Sequence, residues 1–180
     1  MHIWLICGYA GSGKTTLGTM LHTYLPSAET TAFAKKVKDD VAKKYNISRE
    51  LCESQKGKAT ILCEGKTVRD FLIEYSAQHK LDTHNPEIWA HYVVQEIMEK
   101  PTIEHWILHD WRYHAELACI QRIPNSQIHT IRILNPVIQA SSSPSEHELD
   151  DVCVKYIINN TGSISDLEYT LKNSILKEYI

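Results

Sequence analysis

The sequence predicts an α/β fold, a parallel five-stranded sheet covered by helices on both faces. Short apolar runs of strand length alternate along the chain with segments whose apolar residues recur every three or four positions. The chain has 180 residues, which is enough for one domain with a substantial core. Strands that alternate with helices favour parallel pairing, and such sheets bind ligands beyond the carboxyl ends of their strands.

The predicted strands are short apolar or β-branched runs that stop at glycine, proline or charged residues. The first of them ends where a glycine-rich segment begins, and the third ends in a charged cluster at His109 and Asp110. We therefore expect polar groups at the carboxyl edge of the sheet. In chain order, the predicted strands are residues 2–7, 29–33, 104–109, 127–134 and 154–158.

The predicted helices follow the helical repeat of apolar side chains. The clearest is the spacing of four from Phe33 through Val37 and Val41 to Tyr45. Residues 48–58 are highly charged and show no clear pattern, and residues 136–145 are rich in serine and proline, as loops are. A serine at position 145 with a glutamate three residues later predicts a capping box. The predicted helices are residues 14–25, 33–45, 66–79, a helix from Pro86 onward, 113–122 and 164–179.

Composition excludes several classes of protein. The net charge is −3, from 19 basic and 22 acidic residues, which argues against a nucleic-acid partner. The apolar run before the first glycine is too short for a signal peptide or a membrane span. Five scattered cysteines without a Cys-x-x-Cys pair argue against a disulfide framework or a zinc site. We therefore expect a cytoplasmic protein with no membrane partner.

A phosphate-binding loop lies between the first predicted strand and the first predicted helix. Residues 8–15 match G-x-x-x-x-G-K-[ST] in full, in the strand–loop–helix context that this motif requires. Backbone N–H groups of the loop and the helix amino terminus attract phosphate, a lysine reaches the β- and γ-phosphates, and a Thr hydroxyl ligates magnesium. The predicted ATP contacts here are Gly8, Ala10, Gly11, Ser12, Gly13, Lys14, Thr15 and Thr16, with Thr15 as the Mg²⁺ ligand.

Asp110 and Arg112 follow the strand that we expect beside the first. A carboxylate there can hold magnesium through water, and an arginine can bind phosphate through two hydrogen bonds. The structural alternative is a helix-capping Asp110 with Arg112 paired to Glu116. GTPase signatures, Asp-x-x-Gly after a strand and Asn-Lys-x-Asp, do not occur, so the length favours a small kinase.

Other polar residues leave two interpretations open. Arg69 either clamps an acceptor phosphate or is a solvated surface residue, and Lys35, Lys36 and Lys38 either attract an anion or form a charged helix face. The segment Asn159–Gly162 either lines an adenine pocket or forms a turn.

The set of motifs resembles the viral and phage-type deoxynucleoside monophosphate kinases, within the P-loop nucleoside monophosphate kinase fold. The resemblance runs nearly end to end. It rests on GYAGSGKTT at residues 8–16, FAKKVKDDVAKKYNI at 33–47, GKTVRDFLIEYSAQH at 65–79, DWRYHAE at 110–116, SEHELDD at 145–151 and INNTGSISDL at 158–167.

The resemblance implies ATP as donor, a (deoxy)nucleoside monophosphate as acceptor, and Mg²⁺. It implies acceptor contacts from Phe33, Lys38 and Arg69, with Tyr75 available for stacking. Asp110 and Arg112 would lie at the reaction centre, and Asn160 and Gly162 beside the donor adenine. It also implies one domain over residues 1–180, with acceptor-binding helices at about 33–99 and a lid at about 135–146.

The sequence departs from the family in the lid, where residues 136–144 contain no Lys or Arg. Lys14, Arg112 and Arg132 are then the candidates that neutralise the moving phosphoryl group. Two rival functions stay open, a phosphomevalonate kinase-like small-molecule kinase and a non-catalytic nucleotide-binding regulator. The family implies a virus or phage protein in a host cytoplasm. The sequence leaves open the base and sugar preference and whether the chain forms a homodimer.

Overall fold

A computed structural model describes residues 1–140 and 142–179. The chain divides into two compact units. The first unit is Met1–Phe33 with Val93–Ile180, and the second is Ala34–Tyr92.

A five-stranded parallel sheet forms the centre of the first unit, which confirms the predicted fold class. The strands of the chain are β1 (His2–Cys7), β2 (Ala28–Thr31), β3 (Ile61–Cys63), β4 (Lys66–Thr67), β5 (His105–Leu108), β6 (Gln127–Leu134) and β7 (Tyr156–Asn159). The strand order in the sheet is β2-β5-β1-β6-β7, so the first strand lies in the middle, between β5 and β6. A separate antiparallel pair, β3 and β4, belongs to the second unit.

Helices connect the strands. They are α1 (Lys14–Tyr24), α2 (Lys35–Lys44), α3 (Gln55–Lys58), α4 (Val68–Asp82), α5 (Ile88–Glu99), α6 (His114–Ile120), α7 (Pro144–His147) and α8 (Ile164–Ser174), with 3-10 turns at Arg49–Cys52 and Leu176–Glu178. The predicted capping box at residues 145–148 is wrong, because the N-cap of α7 is Ser143, two residues before the predicted cap at Ser145. Within residues 1–140 and 142–179, no helix combines the length and the apolar character that crossing a membrane requires.

The core of the first unit fixes the end of the central strand. Trp4 and Ile6 of β1 pack with Leu17 of α1, Ile107 of β5 and Leu171 of α8, and all five side chains are buried. Burying such a side chain contributes about 1.5–3 kcal/mol. Because β1, β5 and α1 share this core, the loop after β1 lies on a rigid base.

The second unit has a core of its own, in which α2 and α4 contribute Val41, Val68 and Phe71. A capping box begins α4. The Thr67 hydroxyl accepts a hydrogen bond from the Asp70 N–H, and the Asp70 carboxylate accepts one from the Thr67 N–H at 2.8 Å. The unassigned residues 48–58 contain a 3-10 turn and α3.

Candidate functional site

Two glycines shape the loop between β1 and α1. Gly8 and Gly13 have φ angles of 139° and 110°, a region that side chains rarely adopt. A Cβ on Gly8 would lie 2.3 Å from the carbonyl oxygen of Ile133, and a Cβ on Gly13 would lie 2.6 Å from Asn160 Nδ2. The loop therefore turns tightly against β6 and the segment after β7, and larger residues do not fit at either position.

Lys14 curls back over this loop. Its Nζ donates hydrogen bonds to the carbonyl oxygens of Gly8 at 2.6 Å and of Tyr9 at 2.8 Å. Burial, together with the smaller effect of repulsion from Arg112, lowers the pKa of Lys14 to about 8. The ammonium group is therefore held in place, and a nearby anion would favour its charged form.

The amino terminus of α1 has the polar groups that an anion binds. Its N-cap is Gly13, and among the described residues no side chain caps it and no acidic residue lies in its first turn. The Ser12 hydroxyl is buried and has no hydrogen-bond partner in the described part of the chain. Thr15 and Thr16 are exposed at the start of the helix. Free amides, a lysine and hydroxyl groups suit a magnesium triphosphate.

Asp110 and Arg112 leave the carboxyl end of β5, next to the loop. Asp110 Oδ1 accepts a hydrogen bond from the Phe33 N–H at 2.9 Å, which ties this strand end to the segment after β2. Arg112 Nη1 donates to Glu146 Oε1 at 3.0 Å. The Glu116 carboxylate accepts a hydrogen bond from the backbone N–H of Arg112 at 2.8 Å. The Arg112 side chain thus points toward the phosphate loop.

Glu146 is the site residue that sequence reasoning missed. Its Oε2 accepts a hydrogen bond from the Ala10 N–H of the loop at 3.1 Å, and its side chain is only 5% exposed. Although burial raises the pKa of this carboxyl, the hydrogen bonds from Ala10 and Arg112 outweigh burial and lower it. The residue looked like part of a capping sequence, and only the folded chain brings it to the loop.

A cleft beside the loop is lined by Gly8, Tyr9, Arg112, Arg132, Glu146 and Asp150. Arg132 Nη1 donates to the carbonyl oxygen of Asp150 at 3.0 Å, and its Nη2 donates to Val152 at 3.0 Å and to Leu149. These bonds attach the segment after α7 to β6. Arg132, which we considered for charge neutralisation, therefore lies in the cleft as an anchor of that segment.

Asn160 supports the loop from β7. Its Nδ2 donates to the Ser12 carbonyl oxygen at 2.9 Å, and its N–H donates to Leu134 at 2.7 Å. Gly162 precedes the capping box of α8, and a Cβ there would lie 2.5 Å from Asp166 Oδ2. Their expected contact with adenine stays a prediction.

The expected acceptor residues Lys38, Arg69 and Tyr75 lie in the second unit. Lys38 pairs with Glu53 at 2.6 Å, Arg69 donates to the side chain of Gln55, and Tyr75 donates to Asp40 at 3.2 Å. Phe33, in the first unit, is only 3% exposed. Their roles toward an acceptor stay predictions.

Several solved structures that are similar to the chain are kinases by name, whereas no protein-family model and no curated protein matches the chain. A dephospho-CoA kinase from Campylobacter jejuni aligns with a TM-score of 0.50 and 16% identity over 99% of this chain and 98% of that one. A sugar kinase from Janibacter sp. HTCC2649 has a TM-score of 0.49 and 12% identity, covering 95% and 92% of the two chains. Shikimate kinase from Aquifex aeolicus aligns with a TM-score of 0.47 and 15% identity over 99% of this chain and 98% of that one. The similarity to the dephospho-CoA kinase and the strand order of the sheet together show that the chain has a P-loop kinase fold.

Proposed function

We propose that the chain transfers the γ-phosphoryl group of ATP to a (deoxy)nucleoside monophosphate, which yields the diphosphate for DNA precursor synthesis. One observation carries the proposal. The glycine-shaped loop after β1 brings Lys14 and the free amides of α1 beside Arg112, which arrives from the neighbouring strand β5. Two cations and a helix amino terminus near one loop suit a polyphosphate.

Phosphoryl transfer requires positioning and neutralisation of charge more than covalent chemistry, because its transition state is loose. Lys14 would hold the β- and γ-phosphates from the loop side. Arg112 would meet the transferring group from the β5 side and balance its charge in place of a lid arginine. No strong general base is needed, since the acceptor phosphate is already an anion.

Magnesium would be held by the Thr15 hydroxyl, with Asp110 acting through water. When bound, Mg²⁺ offsets charge on the donor phosphates. Asp110 already accepts the Phe33 N–H. In this proposal it therefore also fixes the chain segment that leads toward the acceptor-binding residues.

The choice of acceptor rests on the order of motifs in the sequence. Arg69 and Lys38 would bind the acceptor phosphate, Tyr75 and Phe33 would face its base, and Asn160 and Gly162 would lie beside the donor adenine. The lid, at about residues 135–146, would close to exclude water. The family resemblance extends the proposal to a virus or phage enzyme acting in a host cytoplasm.

A second candidate is a kinase for a different phosphorylated acceptor, similar to the phosphomevalonate kinases. The burial of Phe33, which is only 3% exposed, favours it, because a buried ring offers little surface for stacking on a base. Tyr75 is half-buried, so one of the two aromatic candidates is still partly accessible.

The test is an ADP-release assay with Mg²⁺-ATP and a panel of acceptors. The panel contains ribo- and deoxynucleoside monophosphates, phosphomevalonate and dephospho-CoA, the last because a structurally similar kinase is named for it. We expect turnover with at least one deoxynucleoside monophosphate and none with dephospho-CoA. Turnover with phosphomevalonate alone would establish the second candidate.

Lys14→Ala is the matched test of the site, with Lys177→Ala, an exposed lysine near the carboxyl end, as the charge control. Lys14→Ala should abolish turnover and Lys177→Ala should leave it unchanged. Release of ADP that is independent of every acceptor, or activity retained in Lys14→Ala, would refute the assignment.

A further inference from the structure

The side chain of Glu146 lies where the loop would bind an anion. Its two carboxylate oxygens accept hydrogen bonds from different groups, Oε2 from the Ala10 N–H at 3.1 Å and Oε1 from Arg112 Nη1 at 3.0 Å. A loop backbone amide and an arginine are also groups that donate hydrogen bonds to phosphate oxygens. The carboxylate therefore uses donors that a polyphosphate needs.

The environment of Glu146 explains why this arrangement is stable without a ligand. A carboxylate that is only 5% exposed is costly to desolvate unless charged or polar donors surround it. Here the charge of Arg112 and the dipole of the Ala10 amide offset that cost. Arg112, at 36% exposure, is the more accessible partner, so an incoming anion can reach it while the carboxylate is still bound.

A second contact keeps the same segment on the loop. The Tyr9 hydroxyl donates to Asp150 Oδ1 at 3.0 Å, and His147 Nδ1 is 2.8 Å from Asp150 Oδ2. Arg132 attaches the carbonyl groups of residues 149, 150 and 152 to β6. The segment therefore stays anchored when Glu146 moves, and only α7 and its side chains have to shift.

We propose that Glu146 is an internal competitor of the donor triphosphate, which occupies the Ala10 amide and Arg112 in the nucleotide-free chain and is displaced when the triphosphate binds. This inference rests on the proposed function, because it takes the loop to be a phosphate site. Its consequence is selectivity by charge. A triphosphate has enough charge and enough oxygens to displace the carboxylate, whereas a single inorganic phosphate competes poorly.

The test measures binding of inorganic triphosphate by calorimetry, so it does not depend on catalysis. Glu146→Gln keeps the shape of the side chain and removes its charge. We expect it to bind triphosphate about tenfold more tightly than the wild type, since a charge-assisted contact no longer opposes binding. Glu148→Gln, two residues away and exposed, makes the same change in net charge and should bind like the wild type. Adenosine, which has no phosphate, should not distinguish the variants.

A double-mutant cycle locates the competition. In an Arg112→Ala background the gain from Glu146→Gln should shrink, because one of the shared donors is gone. Equal or weaker triphosphate binding by Glu146→Gln, or an equal gain in Glu148→Gln, would overturn the inference.

The variant Lys14→Ala distinguishes failure of this inference from failure of the proposed function. If it leaves triphosphate binding intact, the phosphate site itself is wrong, and if it abolishes binding while Glu146→Gln has no effect, only the role of Glu146 is wrong.

Hydrogen exchange on the wild-type chain gives the same answer without substitution. Triphosphate should speed exchange of the amides around residues 144–148, because the contact between Glu146 and the loop is broken. Unchanged or slower exchange would mean that the carboxylate stays on the loop, and this too would overturn the inference.

Discussion

The Lys14 ammonium group lies between two carbonyl oxygens of its own loop. Those carbonyls orient the lysine but supply no full negative charge, while Arg112 nearby adds repulsion. Together with burial, this holds the pKa of Lys14 at about 8. A bound triphosphate would reverse the balance, since it strongly favours the charged lysine.

Triphosphate binding should therefore weaken as the pH rises above about 8. Below that pKa the lysine is already charged and affinity is flat. Above it, binding must take up a proton, so the dissociation constant should approach about a tenfold rise per pH unit. Calorimetry between pH 7.5 and 9.5 measures this. Lys14→Arg is the control, because an arginine stays charged throughout and should give a flat profile. Parallel profiles for the two proteins would contradict the prediction.

For individual residues, the sequence predicts roles where the residue belongs to a local motif. It missed one site residue, whose contacts form only in the folded chain. Gly8, Gly13 and Lys14 belong to a contiguous pattern with a known mechanism. Glu146 is separated from Ala10 by 136 positions, and nothing in its neighbours indicates the contact.

The first turn of helix α4 contains both a capping box and Arg69, the expected acceptor-binding arginine. Its capping box at Thr67 and Asp70 satisfies the first amides, and Arg69 lies inside that first turn with an exposed side chain. A cation at a helix amino terminus is unfavourable by a few tenths of a kcal/mol. The helix dipole therefore disfavours an arginine at this position, and the structural contact that Arg69 makes is its hydrogen bond to the side chain of Gln55.

Arg69→Ala should raise the acceptor KM strongly and leave the ATP KM and the melting temperature nearly unchanged. Steady-state kinetics with each substrate varied in turn, together with a thermal melt, checks this. Lys43→Ala removes a charge from an exposed position of α2 in the same unit and should affect none of the three. Equal effects of Arg69→Ala on both KM values would remove it from the acceptor site.

Elements with a clear apolar pattern were predicted well, whereas the shortest elements were not. The spacing from Val37 to Val41 defines α2, and the apolar run at His2–Cys7 gives β1 its observed bounds. The β3–β4 pair was not predicted, because strands of three and two residues are too short to show an alternation of apolar and polar residues. The prediction of a capping box at residues 145–148 was wrong, because the short helix α7 begins at Pro144 and its N-cap is Ser143.

The order of strands in the sheet cannot be predicted from the pattern of apolar residues alone. Alternating strands and helices predict a parallel sheet, but the pairing of β1 with both β5 and β6 is a tertiary choice. The position of Asp110 beside the phosphate loop followed only from assuming that pairing. The division into two units did not follow from composition, since no linker marks position 33 or position 93.

A cluster of histidines lies near the amino-terminal ends of the strands, at the opposite end of the sheet from the phosphate loop. His129 of β6 is fully buried, its ring stacks on Trp4 at 4.1 Å, and its Nε2 lies 3.1 Å from His2 Nδ1 and 3.4 Å from the Tyr179 hydroxyl. Burial, together with the smaller effects of Lys155 and of its histidine neighbours, lowers the pKa of His129 to about 4. Burial likewise lowers the pKa of His105 at the start of β5. His129 and His105 are therefore neutral at pH 7 in the folded chain.

Stability should fall in mild acid for this reason. The unfolded chain protonates His129 near pH 6.5 and the folded chain only near pH 4, so the unfolded state binds the extra proton between these values. The stabilisation is complete above about pH 6.5 and decreases as the pH falls toward 4, by at most about 3 kcal/mol from this residue. Urea unfolding at a series of pH values measures it. His129→Phe should flatten the loss relative to the wild type, whereas His22→Gln, at an exposed position, should follow the wild type. Parallel curves for His129→Phe and the wild type would show that the acid sensitivity arises elsewhere in the molecule.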